Sequence, residues 1–203
     1  IFIYSMTLYF YGDKYLPIKN LTDGVWCASQ MANDLGFKNG DKIISANGEA
    51  IERFSDVLEK TILSQKMTIE RNGSLMSIKI PIDVIDRFLN NDNRLVFYPR
   101  IPTVISAISE NSNAKNAGLR EKDMIVCING VDVKYFDQFK LALGKNKNKL
   151  VELTVKRDNK EILLSVNVDS QGKIGFLPAI FSLEQLEELG YYTLDSHEYT
   201  FIS

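Results

Sequence analysis

Two stretches of the chain alternate apolar and polar residues with a period of two. In the first, Met67 and Ile69 alternate, Asn72-Gly73 interrupts, and Met76, Ile78, Ile80 and Ile82 resume the pattern. In the second, Val151, Leu153 and Val155 alternate, Asp158-Asn159 interrupts, and Ile162, Leu164, Val166 and Val168 follow. That period marks strands with one buried face, and the interruptions are turn pairs, so each stretch predicts a β-hairpin. Upstream of each hairpin the spacing becomes helical. Phe54, Val57, Leu58, Thr61 and Ile62 fall on one helix face, as do Phe136, Phe139 and Leu143. Ser55 and Asp137 are the predicted N-caps. Further upstream come short apolar strands at Val25-Trp26-Cys27 and at residues 103–108. Each is followed by a helical turn, at residues 29–35 and 113–117, and then by a buried strand at Ile43-Ile44 and at Met124-Ile125-Val126.

The same order therefore occurs twice, and the residues between the elements repeat as well. At an offset of 82, Gly36 falls on Gly118, Asp41 on Asp123, Ile43 on Ile125, Asn47 on Asn129 and Gly48 on Gly130. Gly36 and Gly118 suit the left-handed residue that ends a helical turn. Asn-Gly suits the two positive-φ positions of a type I′ turn. Asp41 and Asp123 are expected to cap nearby backbone N–H groups. A duplicated unit of about 80–90 residues is the size of a small domain. Tyr15-Leu16-Pro17 falls on Phe97-Tyr98-Pro99, and Lys173 to Pro178 is a third echo of that aromatic-Pro ending. Pro suits an edge strand, because it cannot donate to a ladder.

The predicted fold is mainly β with short helices. Residues 1–12 are an apolar stub, 13–88 a first domain and 89–94 a polar linker. Residues 95–178 form a second domain and 179–203 a tail expected to lead towards a membrane segment. Residues 1–11 carry no charge and are too few to cross a bilayer, which takes about 20 residues. They read either as a strand or as the outer end of a membrane helix.

Composition removes several function classes. The 24 basic and 26 acidic residues nearly balance and form no basic stripe, so no nucleic-acid partner is expected. Cys27 and Cys127 form no CxxC and read as free thiols. His197 is the only histidine, so neither a His-rich zinc site nor a Ser-His-Asp triad can be assembled from this sequence. No GxGxxG or P-loop occurs. No catalytic residue, metal ligand or cofactor is expected in the chain itself.

The run Ala117-Gly118-Leu119, then Asp123, Ile125, Ile128, Asn129 and Gly130, resembles the signature of bacterial PDZ domains. The first copy, Leu35 to Gly48, departs from it at Leu35, Phe37 and Ala46. The resemblance implies two PDZ-like domains in tandem, in the circularly permuted bacterial order. With its apolar stub and short linker, the whole arrangement resembles the tandem PDZ segment of a site-2 protease. That is the regulator-of-sigma-E type of intramembrane zinc metalloprotease, here similar to members from the Bacteroidetes group.

This resemblance implies a periplasmic portion of a bacterial inner-membrane protein. Its zinc site and HExxH motif would lie in flanking membrane segments, and the module would control substrate access by size filtering, peptide binding or both. The partners would be a membrane-anchored protein stub and the adjacent membrane domain. A PDZ tandem from a soluble serine protease of the HtrA type, or a non-enzymatic adaptor, is the alternative. PDZ domains bind by β-augmentation, in which an extended peptide joins a sheet edge beside a helix. The candidate edge in the second domain is Leu95, Val96, Phe97 and Tyr98, facing Phe139 and Leu143, with Arg94 or Arg100 as a basic helper for a terminal carboxylate. In the first domain the equivalents are Lys14, Tyr15 and Leu16, facing Leu58 and Ile62.

Overall fold

The computed structural model describes residues 13–89 and 97–197, and the apolar stub, Arg94, Leu95 and Val96 lie outside them. The chain is mainly β with short helices, in two compact units. One runs up to Pro99 and takes back the chain from Ser182 onward; the other is Arg100–Phe181.

The first unit begins with β1 (Asp13–Tyr15), β2 (Val25–Cys27), α1 (Gln30–Asp34), β3 (Lys42–Ala46) and β4 (Glu49–Ala50). A 3₁₀ turn at Phe54–Asp56 leads into α2 (Val57–Leu63), the hairpin β5 (Lys66–Arg71) and β6 (Ser74–Lys79), α3 (Val84–Leu89) and β7 (Phe97–Pro99). Its larger sheet has the order β4-β3-β5-β6. The second unit holds β8 (Thr103–Ile108), α4 (Asn113–Asn116), β9 (Met124–Ile128), β10 (Val131–Asp132), α5 (Phe136–Lys145), β11 (Leu150–Arg157), β12 (Lys160–Asn167) and β13 (Phe176–Pro178). Its sheet has the order β12-β11-β9-β8-β13, with β10 on β9. The tail supplies α6 (Leu183–Glu188) and β14 (Asp195–His197), and β14 pairs with β1 in the first unit. Leu186, Tyr192 and Leu194 are buried, so the tail packs as part of that unit.

The repeated residues hold equivalent places. Asp41 and Asp123 are each 0% exposed. Asp41 accepts the Lys38 N–H at 2.8 Å and two bonds from Arg71, each at 2.7 Å. Asp123 accepts the Arg120 N–H at 2.9 Å and two bonds from Arg157, each at 2.7 Å. The capping expected of these acids is present; the arginine partners were not foreseen. Each arginine also donates to the carbonyl of its left-handed glycine, Gly36 or Gly118, at 2.8 Å. The aspartate hydrogen bonds hold both guanidinium groups above their ordinary value.

Asn47 and Asn129 have φ of 50° in each unit, as the type I′ turn requires. Their side chains also bind across to the next hairpin. Asn47 Oδ1 accepts from the Gln65 N–H, and Asn129 Oδ1 accepts from the Glu152 N–H, each at 2.9 Å.

Three expectations need correction. Ser55 does not cap a helix; it lies inside the 3₁₀ turn, and its hydroxyl donates to Asp56. Asp137 is not the N-cap of α5; that position is Tyr135, and Asp137 turns inward to Arg100. The echo of Tyr15-Leu16-Pro17 in Phe97-Tyr98-Pro99 is not a structural equivalence. The bond from Phe54 N–H to the Leu16 carbonyl, at 2.9 Å, is matched by Phe136 N–H to the Ile101 carbonyl, at 2.8 Å. Phe97–Pro99 instead pairs with β2, as Phe176–Pro178 pairs with β8. Each aromatic-Pro strand thus completes the unit before it. Phe97 packs edge-on against Phe37, with ring centroids 4.9 Å apart. The sequence pattern is the same for either placement, and only the pairing separates them.

Gly24 is a position at which a side chain cannot be placed. Its φ is +74°, and an added Cβ would sit 2.3 Å from the Gly40 carbonyl oxygen. Gly24→Ala is expected to destabilise the first unit by about 1–3 kcal/mol, read as a lower urea midpoint. Asp123→Ala, which strands Arg157 and the Arg120 N–H, is expected to cost about 3 kcal/mol, and Asp123→Asn less, because its amide oxygen still caps. An unchanged urea midpoint in Asp123→Ala would show that the pair does not hold the turn to the sheet.

Candidate functional site: a groove between α5 and β13

In the second unit a groove of about 440 Å³ runs between α5 and the segment that enters β13. Its helix side carries Phe136, Phe139, Lys140, Leu143, Gly144 and Lys147, at spacings that put one face of α5 on the groove. Opposite are residues 171–176. Phe139 and Leu143 are core residues, with Phe139 0% exposed, and together they form the floor. Phe176 stands 6.0 Å from Phe139, ring centroid to centroid, and is half-buried.

α5 is held in place at its start. Arg100 Nε donates to Asp137 Oδ1 at 2.9 Å, and a second guanidinium nitrogen donates to Oδ2 at 2.7 Å. The guanidinium also lies over the Tyr135 ring, 4.4 Å from its centroid. Both charges are buried, which is tolerated because the pair is bidentate. Gln138 Oε1 accepts the Tyr135 N–H at 3.1 Å and closes the first turn.

β13 is the outer strand of its sheet, paired on one side with β8. The backbone leading into it has a defined polarity. The Ile174 carbonyl accepts from Ala114 N–H at 2.7 Å, and the Gly175 carbonyl accepts from Ser109 N–H at 3.1 Å. A trans peptide carries its N–H opposite its C=O. The N–H groups of Gly175 and Phe176 therefore point away from α4 and β8, on the side that lines the groove. Gly175 makes this possible: its φ is +93°, and an added Cβ would lie 2.4 Å from the Ser112 Cβ. Ser112 is the N-cap of α4, its hydroxyl accepting from Lys115 N–H at 3.2 Å, so the glycine packs directly on that cap. Two outward N–H groups at the mouth of an apolar groove form a small concavity suited to an anion such as a carboxylate.

The expected site residues are only partly brought together here. Phe139 and Leu143 stand on the groove, as its floor. Phe97 and Tyr98 belong to the other unit, where Tyr98 pairs with Trp26 and packs on its ring at 5.6 Å. Arg100 is engaged with Asp137 and Tyr135 and acts as the anchor of α5. Lys14, Tyr15 and Leu16 do not form a groove edge: β14 lies along β1, the Tyr15 ring lies under Arg53 at 4.3 Å, and Leu16 is buried. Leu58 and Ile62 are half-buried on α2. Ile62 lines a separate hollow with Leu63, Ile80, Pro81, Ile82, Val84 and Ile85.

The edge residues missed from sequence are Ile174, Gly175 and Phe176. The signal for them was present in Lys173 to Pro178, the third aromatic-Pro echo, which carries a glycine just before its aromatic residue. Zinc finds no fit on these residues: among the described residues no three of His, Cys, Asp and Glu converge as ligands would, and nothing in the site is assigned to that ion.

The PDZ domain family PDZ_2 matches residues 87–168. A Treponema pallidum (strain Nichols) protein named as a zinc metalloprotease is 32% identical over 136 residues, covering 64% of this chain and 29% of that protein. The regulator of sigma-W protease RasP of Bacillus subtilis (strain 168) is 32% identical over 72 residues, covering 36% of this chain and 17% of that protein. Among solved structures, the PDZ domain of the SdrC-like protein from Listeria innocua is 25% identical with a TM-score of 0.35, covering 40% of this chain and 98% of that one. The chain thus spans less than a third of the length of these two proteases. Residues 87–168 match the PDZ domain family, in a chain similar over part of its length to a protein named as a zinc metalloprotease and to the sigma-W regulating protease RasP.

Proposed function

We propose that this chain is a tandem, circularly permuted PDZ module of a site-2 zinc metalloprotease, and that it controls substrate access on the periplasmic face of an inner membrane. The observation that carries the peptide-binding part is the groove itself. An outer strand, a facing apolar helix and two outward N–H groups are what β-augmentation by a chain end requires. The peptide extends the sheet along β13, its last side chain enters the space between Phe139, Leu143 and Ile174, and its carboxylate takes the Gly175 and Phe176 N–H groups. The tandem reading is supported by the matched Asp-Arg-Gly arrangements of the two units. The access reading is supported by the similarity to proteases. The partners in this reading are a membrane-anchored protein stub and the membrane domain of the same protein, which would hold the zinc.

Titration of the chain with a fluorescent peptide that ends in valine tests the groove. Amidation of the peptide terminus is expected to weaken binding about 10-fold or more, equivalent to about 1.4 kcal/mol. Phe136→Ala, on the groove rim, is expected to weaken it several-fold with the urea midpoint held. Equal affinity for the acid and the amide would remove the carboxylate from the recognition scheme. In the full-length protein, deletion of residues 13–197 is expected to permit cleavage of a substrate that still carries its bulky outer domain. Retained discrimination would remove the access role.

A further inference from the structure

We propose that the groove of the second unit selects peptides with acidic side chains ahead of the apolar end, an inference that rests on the peptide-binding reading above. The chain as a whole is slightly acidic, with a formal net charge of −2. The groove is the reverse: three lysines, Lys140, Lys147 and Lys173, line it, and no aspartate or glutamate does. All three are exposed, and none is in an ion pair among the described residues.

Two acids adjoining the groove in sequence have other contacts. Asp137 is held by Arg100. Asp169 turns its Oδ1 onto the N–H groups of Gln171 and Lys173, each at 2.8 Å, which shapes the loop and leaves the Lys173 ammonium outside that bond. Three cations over an apolar floor attract a ligand that combines apolar and anionic groups.

Their positions divide the work. Lys140 is four residues after Phe136 and three before Leu143, so it stands on the groove face of α5, midway along it. An extended peptide lying on β13 alternates its side chains, and those turned to α5 pass Lys140 upstream of the terminal residue. Lys147 and Lys173 flank the end of the groove near Gly172, where the Lys147 Cε lies 3.5 Å from the place a Gly172 Cβ would occupy. There they add positive potential beside the carboxylate concavity. The hollow of the first unit, by contrast, has one lysine, Lys79, among mainly apolar residues. Of these two hollows among the described residues, the second unit's groove carries the charge pattern.

Two octapeptides test this. Both end in the same free valine carboxylate; one carries glutamates at the second, third and fifth positions before that valine, the other lysines. Binding to the whole chain is measured by fluorescence anisotropy at low and high salt. The acidic peptide is expected to bind about 10-fold tighter at about 0.05 M salt, with the preference falling as salt screens charges beyond the Debye length. Lys140→Glu is expected to abolish or invert the preference at an unchanged urea midpoint, since the residue is exposed. Binding of both peptides with equal affinity overturns the inference and leaves the peptide-binding reading intact. No binding of either overturns both. Co-sedimentation with phosphatidylserine vesicles that Lys140→Glu abolishes, without any peptide preference, assigns the lysines to a membrane surface and overturns the inference.

Discussion

A fully enclosed carboxylate, met by an arginine from a strand some thirty residues later, is the interaction on which each unit depends. Asp41 with Arg71 and Asp123 with Arg157 do three things at once. The carboxylate caps the turn that leads into β3 or β9. The guanidinium ties that turn to the end of β5 or β11. Another of its N–H groups takes the carbonyl of the glycine that ends α1 or α4. A buried carboxylate left alone would be costly, so the pair constrains three elements to one arrangement. β8 and α4 are thereby fixed, and the Ile174 and Gly175 carbonyls lean on them. The outward N–H groups of the groove are a consequence of that chain of contacts.

The groove is built on the same logic of satisfied neighbours. α5 cannot drift from the sheet, because Arg100 and Asp137 are buried together at its start and Phe139 is locked in the core. The loop before β13 cannot turn over, because its carbonyls are taken by Ala114 and Ser109 and its glycine is pressed on Ser112. What is left unsatisfied is one strand edge, two N–H groups and a set of lysines, all on one side.

The PDZ family match, at 87–168, and the second compact unit, at 100–181, are displaced from one another. The match takes in Phe97–Pro99, which pairs in the first unit, and stops before Phe176–Pro178, which completes the second. Phe97 and Tyr98 precede the second unit in the chain and pair in the first.

Much of the fold was legible in the chain because its determinants are local. Period-two alternation marks β5–β6 and β11–β12, Asn-Gly marks the turns, and glycines mark the ends of α1 and α4. The offset repeat exposed the duplicated order, and the Asp positions identified the capped turn. Phe139 and Leu143 were legible as a helix face, although periodicity cannot say whether such a face meets the core or a groove; here it is packed in the core and lines the groove. What only the tertiary structure decided is long-range. Arg71 and Arg157 are ordinary strand residues until folding brings them to Asp41 and Asp123. Arg100 looked like a free cation until burial paired it with Asp137. The aromatic-Pro strands read the same at the start or the end of a unit, because a strand's pattern records which face is buried and not which neighbour it pairs with. That choice rests on backbone hydrogen bonds, which carry no side-chain signature, and it is the choice that set the groove at Phe176 rather than at Phe97.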